Sequence, residues 1–598
     1  MLPANGARLS RFKPGNTSRR LIALFVVSAL ALVAVLVRVV LLQTVEADQL
    51  RAVGYDQRTS ESVLPATRGS ILDRDGTELA ISVPATTVFA DPRLVADPQA
   101  TAAAVGALLG ASPERIAKLA AQLADRTRGF VYVARQLDDG LAQAVLGLGL
   151  AGVSSYREDT RIMPSGDVGR SIIGRTDPDG RGLGGLEEQF DELLTGVPGQ
   201  RIREHDTEGR SIPGSGTTTV QPQPGDDLVL TVDRSLQFQA EQSLLRRVQT
   251  LNAQGGTVVV MDTATGEIYA MANVQRDDST GIAEVTSANL AAVAPNEPGS
   301  VAKVFSVAAA IDQGAVTPDT TFDVPGKWTF DKGSKKYERT IEDAFPHDTM
   351  PMSIRDILVK SSNIGTLLAA KQIESSTLEQ YLRGFGLGEP TGLKFPDEST
   401  GQLDPSTEWS GSKRSTVSYG YGFSATSVQL VAAVNTVANG GVFVGPKLVR
   451  SVIGADGELT ASDPSPTRRV LEPTTATAMV SMMTDVVCAG TATKAQLDGI
   501  SVAGKTGTSR KVQPDADPTD PYVAKDGTRS YYATFVGFFP AQAPRVTILA
   551  SIDQPDPSTR DRFGGTAAAP LFAEVAEAAI HELQITPTPG DTGCPKQG

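Results

Sequence analysis

Residues 21–37 form an uncharged apolar run, and residues 39–42 continue it past Arg38. As one helix rising 1.5 Å per residue, the segment 21–42 spans about 33 Å, enough to cross a bilayer core. Arg38 can extend along the apolar surface and place its charge at the interface. Arg8, Arg11, Lys13, Arg19 and Arg20 precede the run, and no acidic residue stands beside them. That bias keeps the N-terminus in the cytoplasm and sends the chain after residue 43 outward. A cleaved signal peptide would have a shorter apolar core with a small-residue site directly after it, and no such site follows here. The expectation is a cytoplasmic tail (1–20) and an uncleaved single-pass anchor (21–42).

The chain has 598 residues, room for two or three domains. Its net charge of -13 excludes a nucleic-acid binder, which needs a basic surface to neutralise phosphates. The three histidines, His205, His347 and His581, lie far apart, and Cys488 and Cys594 form no CxxC pair. Neither set has metal-ligand spacing, so no metal or cofactor is expected.

Residues 43–225 read as one module of short helices and strands. Asp75-Gly76 is a hairpin turn between strand-like 69–72 and 78–82. Segments 100–109 and 113–124 have helical periodicity, with Ser112-Pro113 as cap and first turn of the second. Arg161 and Glu187 could pair across the module, but spacing alone favours two solvated charges. No catalytic set assembles here. Residues 210–225 are rich in Gly, Pro, Ser and Thr, as a linker or strand edge would be. In residues 226–585, strands at 227–232, 256–261 and 267–272 come early, with a helix at 235–248. Strands at 500–503, 533–539 and 546–552 come late, with a closing helix at 567–583. Strands at both ends with helices between them imply one sheet built from distant parts of the chain, an α+β arrangement. Residues 586–598 are Pro/Gly-rich and expected to be a flexible tail.

The chemistry centres on Glu297-Pro298-Gly299-Ser300-Val301-Ala302-Lys303. Ser300 stands where a helix should begin, and Lys303 lies three residues on, along the same face. A serine hydroxyl needs a base to become a nucleophile, and a lysine serves if burial lowers its pKa. Alone, the pair reads rather as an N-cap followed by a solvated lysine. Ser361-Ser362-Asn363 follows a helical stretch at 353–360, and Lys505-Thr506-Gly507-Thr508 ends the 500–503 strand. Each is ordinary by itself. In the order SxxK, SxN, KTG they match the signature of penicillin-recognising serine acyltransferases. Residues 499–506 also fit the phosphate-loop pattern GxxxxGK[ST]. Their β-branched apolar filling reads as a strand, and no helix signal follows, so that reading is rejected.

With these motifs the chain resembles a class B penicillin-binding protein over nearly its whole length. RGSILDRDGTELA (68–80), RIMP (161–164) and GGLEEQF (184–190) are similar to the non-catalytic motifs of that class. EPGSVAK, SSN, YGYGFSATSVQL (419–430), AGKTGT and FVGFFP (535–540) are similar to its catalytic half. The resemblance implies an elongated pedestal or dimerisation-type domain (43–225). It also implies a transpeptidase domain (226–585) with a central antiparallel sheet flanked by helices. The implied activity is peptidoglycan D,D-transpeptidation outside a bacterial cell membrane.

Implied roles are Ser300 as nucleophile, Lys303 as base and Ser361 as proton relay. Asn363 would hold Lys303 and the substrate amide. Lys505, Thr506, Gly507 and Thr508 would form the substrate strand, with Thr508 and Ser300 supplying the oxyanion-hole N–H groups. Implied partners are stem peptides ending in D-Ala-D-Ala, β-lactam antibiotics, the membrane, and an FtsW-like SEDS glycosyltransferase with other division proteins. A septal, FtsI-type enzyme fits, and an elongation-type relative fits almost as well. A β-lactamase or β-lactam sensor shares the three motifs but leaves the first module unexplained. An inactive scaffold that binds division partners remains a further alternative. Cys488 and Cys594, both expected outside the cell, are either bridged or separately a buried small hydrophobe and a tail thiol; sequence gives no distance.

Overall fold

The computed structural model describes residues 16–206, 212, 218–330, 339–409, 412–513, 515–517 and 520–594. By contact it divides into two units, residues 1–65 with 198–222, and residues 66–197 with 223–598. In the first unit, Thr17–Thr44 is a helix of 28 residues, apolar all round, with a mean hydropathy of 2.8 over its best window. It is long and apolar enough to cross a membrane, and it contains the expected 21–42 segment. After a short helix, Thr59–Leu64 pairs antiparallel with Gly199–Glu204, which pairs with Thr218–Val220.

The second unit holds two large sheets. One has the order Leu459–Ala461, Val449–Ile453, Asp227–Leu230, Ile71–Leu72, Glu78–Ala90, Val131–Leu137, with Val153–Ile162 also on Glu78–Ala90. Ile71 and Leu72 run parallel to Leu228 and Val229. The expected domain border at 225/226 therefore falls inside a sheet that joins both halves of the sequence. The helices Pro98–Leu108 and Pro113–Ala124 form as expected, and Ser112 accepts a hydrogen bond from Arg115 N (3.3 Å).

The other sheet has six antiparallel strands, ordered Ala283–Val285, Ile268–Arg276, Gly255–Asp262, Val546–Asp553, Tyr531–Phe539, Ala503–Arg510. Gly255–Asp262 pairs with Val546–Asp553 along its full length, so early and late segments meet in one sheet. Helices cover both faces. A Cβ on Gly256 would meet Leu244 of helix Arg234–Thr250, while Thr257 Oγ1 lies 2.8 Å from Ser427 Oγ of helix Ser427–Ala438. Consecutive strand residues point to opposite faces, so these helices lie on opposite sides. That explains the near-continuous burial of Gly255–Asp262, which a one-sided sheet would not show. Helix Ser427–Ala438 is buried at every position, and its Thr426/Gln429 capping box satisfies its first turn.

Three expectations change. The strand expected at 500–503 is instead Ala503–Arg510, so Lys505 to Thr508 lie within it, not at its end. Glycine and polar residues hid it; full pairing with Tyr531–Phe539 imposes it. Arg161 and Glu187 are not solvated: the Glu187 carboxylate, 1% exposed, accepts from Arg68 Nε and Arg161 Nε, each at 2.7 Å. Arg68 Nη1 also donates to Asp191 Oδ1 (2.8 Å). The tail is fastened. Cys488 and Cys594 are disulfide-bonded with Cα atoms 5.2 Å apart, and Asp591 Oδ2 accepts from Ser501 N (2.9 Å) and Oγ (2.7 Å). For a loop on the order of 100 residues, closure entropy gives about 4.7 kcal/mol as a ceiling.

Glu187→Ala leaves two buried guanidinium groups without their shared carboxylate. Equilibrium urea unfolding should show a loss of about 3–5 kcal/mol. A loss below about 1 kcal/mol, as for a surface pair, would contradict the buried network.

Candidate active site

Ser300 lies in a 3-10 turn, Gly299–Val301, that leads into helix Ala302–Asp312. It is therefore not the helix cap, and no side-chain capping bond uses its hydroxyl. The turn is held by two close approaches. A Cβ on Gly299 (φ +53) would stand 2.7 Å from Thr508 O and 3.2 Å from Ser509 N. A Cβ on Gly420 (φ +96) would stand 1.8 Å from Gly299 O, and Gly299 N donates to Gly420 O at 3.1 Å. Only glycine permits this conformation and contact together. The serine turn is thus clamped between the KTGT strand and the Tyr419-Gly420 segment.

Lys303 is fully buried, one turn past Ser300. Its Nζ lies 2.6 Å from Ser361 O and 3.1 Å from Ser361 Oγ. From the other side Lys505 Nζ, equally buried, lies 3.0 Å from the same Ser361 Oγ, 3.1 Å from Thr506 O and 3.4 Å from Thr506 Oγ1. One hydroxyl is thus shared between two buried lysines. Two ammonium charges in that space would repel each other without water to screen them. Burial, then the Lys505 charge, pushes the Lys303 pKa well below its ordinary value, while Asp343 pulls it partly back. Burial alone brings Lys505 down to about 7. A neutral Lys303 carries a lone pair beside a serine hydroxyl, and a cationic Lys505 can donate to that hydroxyl from behind.

Ser361 has φ +59, an uncommon conformation for a residue with a side chain. Asn363 does not reach Lys303; its Nδ2 donates to Glu342 O at 2.8 Å. It lines a cavity of about 420 Å³ with Tyr419, Tyr421, Arg510 and Tyr522. Thr506 Oγ1 lies 2.7 Å from Thr491 Oγ1, and Thr508 Oγ1 accepts from Gly564 N at 3.0 Å. Gly507 lies against the serine turn, since a Cβ there would stand 2.9 Å from Pro298 O. All three motifs therefore converge. Sequence reading missed Asp343, whose carboxylate sits behind the SSN turn, and Thr491. Neither lies in a motif. It also missed the contact of Glu297, within EPGS, whose carboxylate accepts from Tyr522 OH (3.0 Å) and Gly422 N (2.8 Å). Among the described residues no cluster suited to a metal ion occurs.

Comparison with known proteins identifies two domains in the chain. Residues 256–577 match the penicillin binding protein transpeptidase domain, and residues 63–230 the penicillin-binding protein dimerisation domain. The chain is 33% identical to the penicillin-binding protein PbpB of Mycolicibacterium smegmatis, over 98% of this chain and 94% of the relative. It is 32% identical to the peptidoglycan D,D-transpeptidase FtsI of Escherichia coli, over 94% of this chain and 92% of the relative. A crystal structure of penicillin-binding protein 3 of Mycobacterium tuberculosis, complexed with aztreonam, superposes with a TM-score of 0.66 at 27% identity, covering 90% of this chain and all of that one. A peptidoglycan synthetase of Bifidobacterium adolescentis gives 0.69 at 26% identity, covering 90% and 99%. The chain belongs to the class B penicillin-binding proteins, the serine D,D-transpeptidases that carry a dimerisation domain ahead of the transpeptidase domain.

Proposed function

We propose that this chain cross-links peptidoglycan stem peptides through an acyl-enzyme on Ser300, as the septal transpeptidase of its cell. The observation that carries the chemistry is the Ser361 hydroxyl held between Lys303 and Lys505, directly behind the Ser300 turn. Ser300 Oγ attacks the carbonyl of the penultimate D-alanine and passes its proton to neutral Lys303. The oxyanion accepts from the backbone N–H groups of Ser300 and Thr508. The contact of Gly299 with Thr508 supports this pairing. Ser361 relays the proton to the departing D-alanine nitrogen. Lys505 binds the terminal carboxylate with the hydroxyls of Thr506 and Thr508, and Asn363 holds the substrate amide from the cavity wall. An amine of a second stem peptide then displaces Ser300 and closes the cross-link. A β-lactam presents the same carbonyl and carboxylate and stops at the acyl-enzyme; the aztreonam complex of the mycobacterial relative supports this.

The helix Thr17–Thr44 supports a single-pass anchor. The basic residues before it support an N-terminus in the cytoplasm and a transpeptidase domain outside. Identity with FtsI supports the septal machine over the elongation machine, and with it a SEDS glycosyltransferase and other division proteins as partners.

A fluorescent penicillin should label the wild-type chain, and Ser300→Ala should abolish labelling. Persistent labelling of that variant would show another nucleophile. A fluorescently tagged chain should collect at mid-cell before constriction; an even distribution along the side wall would transfer it to the elongation machine.

A further inference from the structure

The turn that carries Ser361 is moulded by a segment that lies outside all three motifs. The Asp343 side chain is wholly buried. Its Oδ1 accepts from Asn363 N (2.7 Å) and Ile364 N (3.0 Å), and its Oδ2 from Ser362 Oγ (2.5 Å). The neighbouring Glu342 carbonyl accepts from Asn363 Nδ2. Residues 342–343 thus grip the backbone and both side chains that follow Ser361. An isolated serine would leave the left-handed region that Ser361 occupies; such a conformation persists where its surroundings fix it. On the far side of the carboxylate, His347 Nε2 lies 3.1 Å from Asp343 Oδ2, and Nδ1 lies 2.7 Å from Asp348 O. Both partners are acceptors, so the ring makes both bonds only when it carries both protons. The ring stacks on Phe345 at 4.7 Å between centroids, and Lys360 Nζ lies 6.0 Å from the Phe345 centroid.

We propose that Asp343 and His347 are positioning residues for acyl transfer: the carboxylate holds the Ser361 turn so that its hydroxyl joins Lys303 to Lys505, and the imidazole fixes the carboxylate. This rests on the acyl-transfer reading above. The pair also acts through its charge. Among the described residues, the charged groups facing Lys303 are Lys505, from strand Ala503–Arg510, and Asp343, from the segment after Arg339–Glu342. Those facing Asp343 are Lys303 and His347. The carboxylate favours the ammonium form of Lys303, whereas burial and Lys505 oppose it. Acylation needs the amine, so its rate rises with pH as Lys303 loses its proton. Removing the Asp343 charge favours the amine further and moves this acidic limb to lower pH. Removing the His347 ring keeps the Asp343 charge beside Lys303, so the limb does not follow that of the Asp343 variant downward.

The test measures second-order acylation rates of the full chain by a penicillin between acid and alkaline pH, with thermal unfolding recorded alongside. Asp343→Asn keeps the shape and removes the charge; the maximum rate should fall roughly 10- to 100-fold, with the acidic limb at lower pH and the chain still folded. His347→Ala leaves the Asp343 bonds from Asn363 N, Ile364 N and Ser362 Oγ in place and serves if the first variant does not fold. Its rate should fall several-fold, with the limb at or above the wild-type position. An unchanged rate and limb in either folded variant would overturn the proposal, as would an equal downward shift in both. A wild-type chain that is not labelled overturns the acyl-transfer reading and the proposal with it. A labelled wild type with unchanged variants overturns the proposal alone.

Discussion

Two lysines buried around one serine hydroxyl set the terms for everything near them. Moving an ammonium out of water costs several kcal/mol, and a second like charge nearby adds to that cost. The fold meets the cost by letting one amine shed its proton. Lys303 is pushed toward the amine by burial and then by the charge of Lys505, with Asp343 opposing them. Lys505 has burial alone against it and stays closer to the balance point, at about 7. Two residues of the same type are thereby shifted by different surroundings, Lys303 by burial and a like charge and Lys505 by burial alone. The dry surroundings that produce this come from the architecture. Ala503–Arg510 is the edge strand of the six-stranded sheet, and helix Ala302–Asp312 is buried through nine consecutive positions, 302–310. Among the described residues, a cavity lined by Asn363, Tyr419, Tyr421 and Tyr522 opens beside the site.

Precision in such a site depends on backbone contacts that side chains would block. Gly299, Gly420 and Gly507 lie where the serine turn touches the KTGT strand and the Tyr419-Gly420 segment. Because these contacts are backbone to backbone, the position of Ser300 relative to Thr508 N–H does not depend on flexible side chains. The tail adds a fastening at the other end of the same strand. Asp591 accepts from Ser501, just ahead of Ala503–Arg510, and the Cys488–Cys594 bridge holds the tail to helix Pro473–Ala489. Thr491, just past that helix, meets Thr506 through its hydroxyl. The substrate strand is thus held at its start by the tail and near Thr506 by a hydroxyl pair.

How much of this the sequence disclosed follows the range over which each signal acts. Local chemistry was legible: Ser112-Pro113 announced its helix, and short β-branched apolar runs announced the paired strands Gly255–Asp262 and Val546–Asp553. The three motifs were legible as a set because their order is fixed even though their spacing is long. What depends on distant contacts was not. Arg68 and Glu187 are 119 positions apart, and nothing near Glu187 shows that two arginines will surround it. The strand from Ala503 to Arg510 contains two glycines and five charged or hydroxyl-bearing residues, and no apolar run marks it; pairing with its partner strand makes it one. Asp343 is one acidic residue among 68 and reveals itself only through the four donors that converge on it. Ser300 looked like a helix cap because its residue type suits one, yet the helix begins after it, which leaves the hydroxyl free of that duty.

The central claim is that Lys303 is an amine, not an ammonium, in the resting enzyme. Nitrogen NMR of the full chain carrying ¹⁵N-lysine, with the Lys303 signal assigned by its loss in Lys303→Met, reads that state directly as pH is varied. A neutral Nζ resonance for Lys303 at neutral pH, giving way to an ammonium signal only on acidification, is the predicted result. An ammonium resonance that persists through neutral pH and titrates only in the ordinary alkaline lysine range would contradict it.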